Sequence, residues 1–497
     1  MEEITMKKLM VTLSIVAIAV GLAMPAAAVD IPSEVILFKN VNIFDGENEA
    51  LLEGYDVLVV KNLIKKIDKD IKLADTYEID VKTGGYKEIA SGGHQLDFQG
   101  YSDKVVMVYE PEKKIKKEVK VKVIDGKGRT LMPGLIDAHW HTYYANAPVS
   151  VMMTGDMSEV AIIGLLGAKK TLMRGFTTVR DIGGNPFAVK KFADSGRYPG
   201  PRMLISGPPI SQTSGHFDFR GKNDTPANST DPLTYWERNG LIMVADGVPD
   251  VIKRARENLR MGATQLKIAG GGGVSSAYDP LDVQEYTFEE MKAVVDVAKT
   301  WNTYVAAHIF TDSSIQTAVK AGIKSIEHGH LIKEKKTLKM MKENDVWLSM
   351  QPLLDDEDAL KFDNPFSTQK WIETTDGTDT VYKMAKEMGV KIAFGTDMLF
   401  DPVAAENQGK MLSKLKRWFT PYEALKMATS TNAELLALCG PRHPYPEGPL
   451  GVIKEGAYAD ILLVDGNPLE NLDLVANPHK NFVVIMKDGK IYKNTIQ

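Results

Sequence analysis

"LMPGLIDAHWHTYY", residues 131–144, runs from a proline, a glycine and an apolar stretch into two histidines separated by one tryptophan. Residues two apart on an extended strand face the same side, so His139 and His141 can approach one cation together while Trp140 faces the other way. Alone, such a pair is weak evidence, because two hydrogen-bonded polar histidines ending a strand read the same way. The rest of the chain decides between them.

From Leu131 onward short apolar runs alternate with helical stretches, the pattern of a parallel sheet covered by helices. Eight strand candidates follow one another: "LIDAHW" at 135, "TTVRDI" at 177, "RMLISG" at 202, "QLKIAG" at 265, "YVAAHI" at 304, "KSIEHG" at 324, "VWLSMQ" at 346 and "KIAFGTD" at 391. Segments 249–263, 287–302 and 378–389 between them repeat apolar residues at three and four, as helices do. Eight such units predict an α/β fold, a (β/α)8 TIM barrel over residues 131–440. "SEVILFKNVNIFDG" and "YDVLVVKNLIKKID" before it, and "GVIKEGAYADILLVDGNPLEN" and "NFVVIMKDGKIYK" after it, alternate like strands with Gly and Asp turns. They predict a small β-sandwich domain built from both chain ends, residues 29–130 and 441–497. Within it, Glu118, Lys120 and Lys122 alternate with Val119, Val121 and Val123, so the stretch at about 80–124 reads as extra hairpins with a charged outer face.

With 497 residues, 44% of them hydrophobic and 25% charged, the chain can bury a sizeable core. A net charge of -5 offers no basic field for nucleic acid, and small ligands fit better. Lys7 and Lys8 precede the apolar stretch "LMVTLSIVAIAVGLAM", and Ala26 and Ala28 form a small-residue cleavage site. Residues 1–28 therefore read as a signal peptide, which predicts an exported, periplasmic or extracellular protein with no stable membrane anchor after its removal. Cys439 is the single cysteine, so neither an internal disulfide nor a thiolate cluster is available. Any metal must sit on His, Asp, Glu or a modified Lys.

Functional groups of such a barrel gather at the C-terminal ends of its strands, where the loops ring one mouth. His139 and His141 end the first predicted strand, Lys267 lies in the fourth, His308 ends the fifth, His328 the sixth and Asp397 the eighth. Together they supply the imidazole and carboxylate ligands suited to zinc or a similar divalent ion. A lysine inside a strand is costly unless it is paired or changed. Lys267 thus either pairs with Asp397, or stays a neutral amine that takes up carbon dioxide, giving a carbamate able to bridge two metals. Gly270–Gly273 follow it without the G-K-[ST] of a phosphate loop, and read as a loop passing close to the site. Asp397 is a terminal ligand, a proton carrier, or both. His330, two beyond His328, either faces the same mouth as a second catalytic group or bonds locally.

"PGLIDAHWH", "TTVRDIGG", "QLKIAGGGG", "AAHIF", "SIEHGH" and "AFGTDM", in that order, resemble the amidohydrolase superfamily over almost all of the chain after residue 28. "GPRMLISGPPISQTSGHFD" and "SIEHGH" resemble its binuclear Xaa-Pro dipeptidases (prolidases) and the imidazolonepropionase-related group, some of which hydrolyse ochratoxin. The resemblance implies two divalent metal ions, zinc being expected, held by His139, His141, Lys267 (N6-carboxylated), His308, His328 and Asp397. It implies hydrolysis of dipeptides or N-acyl amino acids, releasing the C-terminal amino acid, by a metal-bridging hydroxide with Asp397 shuttling the proton. It also implies a homo-oligomer. A substrate carboxylate needs donors, for which His216, Arg220 and Tyr278 stand in the loops after the third and fourth strands. The long 80–124 segment departs from the group's usual short connection. A mononuclear cyclic-amide hydrolase or deaminase, imidazolonepropionase-like, is the alternative; Lys267 argues against it, since one metal has no use for a bridging carbamate.

Overall fold

The computed structural model describes residues 34–73, 76–79, 86–88, 104–110, 115–224 and 232–496. The expected signal at 1–28 and much of the 80–124 insertion lie outside the described residues. Near the N-terminus, β1 (Glu34–Ile43) pairs antiparallel with β2 (Leu52–Val60), which returns antiparallel to β3 (Leu63–Asp68). β4 (Thr76–Ile79) pairs antiparallel with β5 (Tyr86–Glu88) and parallel with β6 (Lys104–Glu110), within the smaller of two compact units. β7 (Ile115–Asp125) lies parallel to β1 from Glu34 opposite Lys120 to Lys39 opposite Asp125. Val119 and Val121 are buried there while Lys120 is exposed, the alternation that a one-sided sheet requires.

Parallel strands follow, with one at each of the eight positions where the apolar runs stand. β8 (Thr130–Pro133) leads into β9 (Leu135–Trp140), β10 (Phe176–Asp181) and β11 (Arg202–Ile205), which form one ladder in the order β11-β10-β9. A second parallel ladder contains β12 (Ile210–Ser211), β13 (Met243–Val244), β14 (Leu266–Ala269), β15 (Val305–Thr311), β16 (Ser325–Leu331), β17 (Trp347–Met350) and β18 (Ile392–Phe394), in the order β13-β12-β14-β15-β16-β17-β18. The ladders meet at both ends. Thr264 N–H donates to Ile205 O at 2.8 Å beside β11, and Asp397 N–H donates to His139 O at 2.8 Å, bringing the end of β18 against β9. Two differences from the sequence pattern have local causes. Pro208 and Pro209 lack N–H donors, so the third strand breaks after Ile205 and the chain resumes as β12, which is the piece that pairs with β14 through Ile210 and Ile268. The helix expected at 378–389 begins at Pro365, where Asn364 caps Phe366 N–H; its first half carries Thr and Gly instead of a clear apolar stripe, which hides it from periodicity.

Helices Gly247–Met261 and Phe288–Thr300 cover the sheet near the other two expected segments; the first stops at left-handed Gly262, and the second starts on a Thr287–Glu290 capping box. At the C-terminus β19 (Ile461–Val464) pairs antiparallel with β8 and with β20 (Phe482–Lys487), which turns through Asp488 and Gly489 into β21 (Lys490–Asn494). The two ends of the chain thus share one sheet, with Ile36 and Phe38 packed in the same core as Ile461, Leu463 and Val484.

Arg202, at the start of β11, ties this terminal sheet to the parallel strands. Its Nε lies 2.9 Å from Asp460 Oδ2, its terminal nitrogen 2.6 Å from Asp488 Oδ1, and its guanidinium 3.8 Å from the centre of the Tyr458 ring. Removing one partner of a buried pair strands the other charge. Arg202→Met is therefore expected to lower unfolding free energy by about 3–5 kcal/mol, read as a lower urea midpoint.

Candidate metal centre

His139, in β9, and His141, just past its end, turn their rings toward one carboxylate: each Nε2 lies 3.2 Å from Asp397 Oδ1. His328, on β16, places Nδ1 3.9 Å from Asp397 Oδ2, and its ring centre lies 5.0 Å from that of His139 and 4.3 Å from that of His308. His308, Lys267 and these three histidines line one pocket with Asp397. Tight backbone approach makes this possible: a Cβ on Gly395 would stand 2.4 Å from His139 Cβ, so only glycine lets β18 lie there.

Each imidazole commits one nitrogen to an oxygen, which sets where its hydrogen sits. His141 Nδ1 faces Gly183 O at 3.5 Å and His308 Nε2 faces Gly272 O at 3.1 Å; carbonyls only accept, so those nitrogens carry the hydrogen. His328 Nδ1 lies 2.7 Å from Gln351 Oε1, whose orientation follows from Gln351 Nε2 donating to Ser349 O at 3.2 Å. His139 Nδ1 lies 3.0 Å from Glu327 Oε2. His139, His141 and Asp397 then present three acceptor atoms within 4.8 Å of one another, with no donor among them. Burial lowers the His141 pKa to about 4, so near neutral pH its bare Nε2 is not protonated. Burial likewise holds His308 and His328 well below the usual histidine range. Burial would raise the Asp397 carboxyl, but the imidazoles facing it, when they carry a proton on that side, more than reverse this and hold it well below the usual carboxylate range. Three convergent electron-pair donors of this kind fit a divalent cation.

Lys267 Nζ is buried without a hydrogen-bond partner, and burial lowers its pKa to about 8 even though Glu327 and Asp397 pull the other way. A free amine at the wall of a cation site is the form that carbon dioxide can modify. His216 stacks on His308 with ring centres 3.8 Å apart, and its Nδ1 contacts Ser276 Oγ at 2.8 Å and Asp279 Oδ2 at 3.3 Å. The glycine run packs closely here: a Cβ on Gly273 would stand 2.0 Å from the His216 ring. Beside the histidines opens a cavity of about 630 Å³, lined by His216, His308, His328 and Asp397, by the apolar Phe310, Leu353, Phe362, Trp371, Leu399 and Phe400, and by the charged Glu357, Asp358, Lys361 and Asp401.

Other expected residues stand elsewhere. His330 does not share this cavity: positive φ at His328 (83°) and Gly329 (70°) breaks the strand alternation, so His330 bonds Gln351 O through Nε2 at 3.0 Å and borders a different cavity. Arg220 is paired with Asp218 and is not among the lining residues. Tyr278 is 52% exposed and is not among them either, while its neighbour Asp279 bonds His216 and Gly273 N–H. Several partners were missed by the sequence pattern. Arg180 and Glu327, charged residues inside apolar strands, form a buried pair in which one guanidinium nitrogen, Nη2, meets both carboxylate oxygens at 2.7 and 2.9 Å, and their placement mid-strand was the available signal. Gln351 and Lys370 gave none. Lys370 reaches from the helix Pro365–Met388 to the carbonyls of Gly273, Ser276 and Asp279 and so pins the glycine loop.

Residues 130–496 match the amidohydrolase family. This chain belongs to the amidohydrolase family. Ochratoxinase from Aspergillus niger is 31% identical over 406 residues, covering 79% of this chain and 82% of that protein. Among solved structures, an amidohydrolase is similar with 31% identity and a TM-score of 0.76, over 93% of this chain and 100% of the other. A prolidase complexed with N-methylphosphonate-L-proline is similar with 29% identity and a TM-score of 0.76, over the same shares. A Xaa-Pro dipeptidase with methionine bound in its active site is similar with 25% identity and a TM-score of 0.72, again over 93% and 100%. The chain is accordingly an amidohydrolase family enzyme, and metal binding is typical of that family.

The Lys267 environment has a measurable consequence. Folded, the amine is neutral above about pH 8; unfolded, it keeps its proton up to about pH 10.4. Between these values the unfolded chain binds more protons, so this group's contribution to stability rises with pH. In metal-stripped, carbon-dioxide-free protein, the urea midpoint of wild type relative to Lys267→Met is expected to increase from pH 8 to pH 10.

Proposed function

We propose that the protein hydrolyses the amide bond of dipeptides or N-acyl amino acids and releases the C-terminal amino acid, using two divalent cations, zinc being expected. The observation that carries this reading is the convergence of His139, His141 and Asp397 on one point beside the cavity, next to a partnerless Lys267. His139, His141 and Asp397 would hold one ion, His308 and His328 the other, and the carbamate of Lys267 would bridge them. When bound, such ions lower the pKa of water and polarise a scissile carbonyl. Asp397, ionised and open to the cavity, accepts a proton from the attacking water and returns it to the departing amine nitrogen. The apolar part of the wall takes the substrate side chains or acyl group, and His216 is the one expected carboxylate-side contact that borders the cavity. Relatives described as prolidase, Xaa-Pro dipeptidase and ochratoxinase support the amide class. A one-ion deaminase or imidazolonepropionase-like reaction leaves Lys267 without a task.

The same reading takes residues 131–440 as one closed (β/α)8 barrel, supported by the bonds joining both ends of the two ladders, and residues 29–130 with 441–497 as a β-sandwich domain. It takes residues 1–28 as an export signal to the periplasm or exterior, on the strength of Lys7, Lys8 and the small residues before Val29. Among the described residues no helix is long and apolar enough to cross a membrane. A homo-oligomer acting on small substrates, without nucleic acid, completes the proposal.

A screen of Xaa-Pro, Xaa-Arg, Xaa-Leu and N-acetyl amino acids with zinc or cobalt tests it. Free amino acid should appear, vanish on chelation and return with metal; opening of a cyclic amide alone would refute the reading. Asp397→Asn should lower kcat by about 10²–10⁴-fold on any substrate found.

A further inference from the structure

Of the four imidazoles around the centre, three rest their outward nitrogen on uncharged oxygens: Gly183 O for His141, Gly272 O for His308 and Gln351 Oε1 for His328. His139 alone rests on a carboxylate, Glu327 Oε2, at 3.0 Å. That carboxylate is immobile. Both its oxygens accept from Arg180, and Ser325 Oγ donates to Oε1 at 2.5 Å. Arg180 gives its remaining N–H groups to Ala138 O, Tyr304 O–H and Ser325 Oγ, and Ser349 Oγ stands 3.3 Å from the same Nη2 that holds Glu327, so the guanidinium is fixed on every side. A carboxylate behind a ligating imidazole fixes its tautomer and ring plane and strengthens it as a ligand.

We infer that Glu327, anchored by Arg180, is the positioning residue for His139: it holds the hydrogen on Nδ1, leaves Nε2 bare toward Asp397, and makes the ion on His139, His141 and Asp397 the tighter of the two. The inference rests on the two-ion reading above. Glu327 touches neither substrate nor reacting atoms; it acts through His139. Gln351 Nε2, which gives one hydrogen to Ser349 O, also lies 3.2 Å from the same Nδ1, but the Glu327 carboxylate can only accept and stands closer, at 3.0 Å, so a hydrogen on Nδ1 is what this contact requires.

The test uses the full chain, zinc alone as the probe, and two variants. Glu327→Gln keeps the shape but leaves Arg180 buried without its counter-ion, so the double variant Arg180→Met with Glu327→Gln removes both charges together. Zinc competition against a chromophoric chelator should resolve two affinities in wild type, with the tighter one weakened about 10–100-fold in each folded variant and the weaker one little changed. Nitrogen-15 shifts of labelled histidines in metal-free wild type, with His139→Asn for assignment, should show His139 protonated on Nδ1, and a mixture of tautomers in the variants. Unchanged tight-site affinity in a folded variant, or a wild-type His139 protonated on Nε2, would overturn the inference. Wild-type protein that takes up no zinc would instead refute the proposed function, and the nitrogen shifts, read without metal, still decide the tautomer.

Discussion

The four-way hydrogen bonding of the Asp137 carboxylate holds the first strand against the last, and the centre depends on it. Its oxygens accept from His139 N–H at 3.0 Å, Thr396 N–H at 3.2 Å, Thr396 O–H at 2.6 Å and Gln408 Nε2 at 2.8 Å. Wholly buried, the group would be costly without these donors, and burial still pushes its pKa up. By clamping Thr396 to β9 it delivers Asp397, one residue on and in a left-handed backbone conformation (φ 50°), to the rings of His139 and His141. The side-chain-free Gly395 allows the approach, and the carboxylate fixes it.

The second constraint is the distribution of charge inside the parallel strands. Arg180 and Glu327 neutralise each other; burial would raise the Glu327 carboxyl, but Arg180, His139 and Lys267 together hold it below its usual range. Glu327 is thereby committed, so Lys267, the other buried cation nearby, finds no hydrogen-bond partner and drifts toward the neutral amine. One ion pair thus stands behind the His139 ring and leaves the Lys267 nitrogen next to it without a hydrogen-bond partner. The glycine loop after Lys267 is held by Lys370 and by the stacked His216 and His308 rings, which line the substrate cavity.

Much of the fold was legible because strand and helix leave periodic traces. The parallel strands stand where the short apolar runs do, and both chain ends supply strands to one sheet, as their alternation suggested. Elements that escaped carry weak periodicity: β12 after two prolines, and the first half of the helix Pro365–Met388. His330 escaped for a related reason. Spacing of two implies a shared face only while the backbone stays extended, and Gly329 at φ 70° ends that condition. Arg220 and Tyr278 sat in promising loops, but loop side chains follow local partners, and Asp218 claimed the first while the second stayed exposed.

The chain's order of residues by itself determined which groups could do chemistry: His139, His141, Lys267, His308, His328 and Asp397 fall at strand positions that a repeating strand–helix pattern turns toward one end. What only the tertiary structure decided was their state. The histidine tautomers depend on Glu327, Gln351, Gly183 and Gly272, residues brought in from other strands and loops, and the lowered pKa of Lys267 depends on its burial. Hydrogen bonding and desolvation act over a few ångströms of space and are indifferent to separation along the chain, so a linear pattern carries the inventory of groups but not the fields that set their protonation.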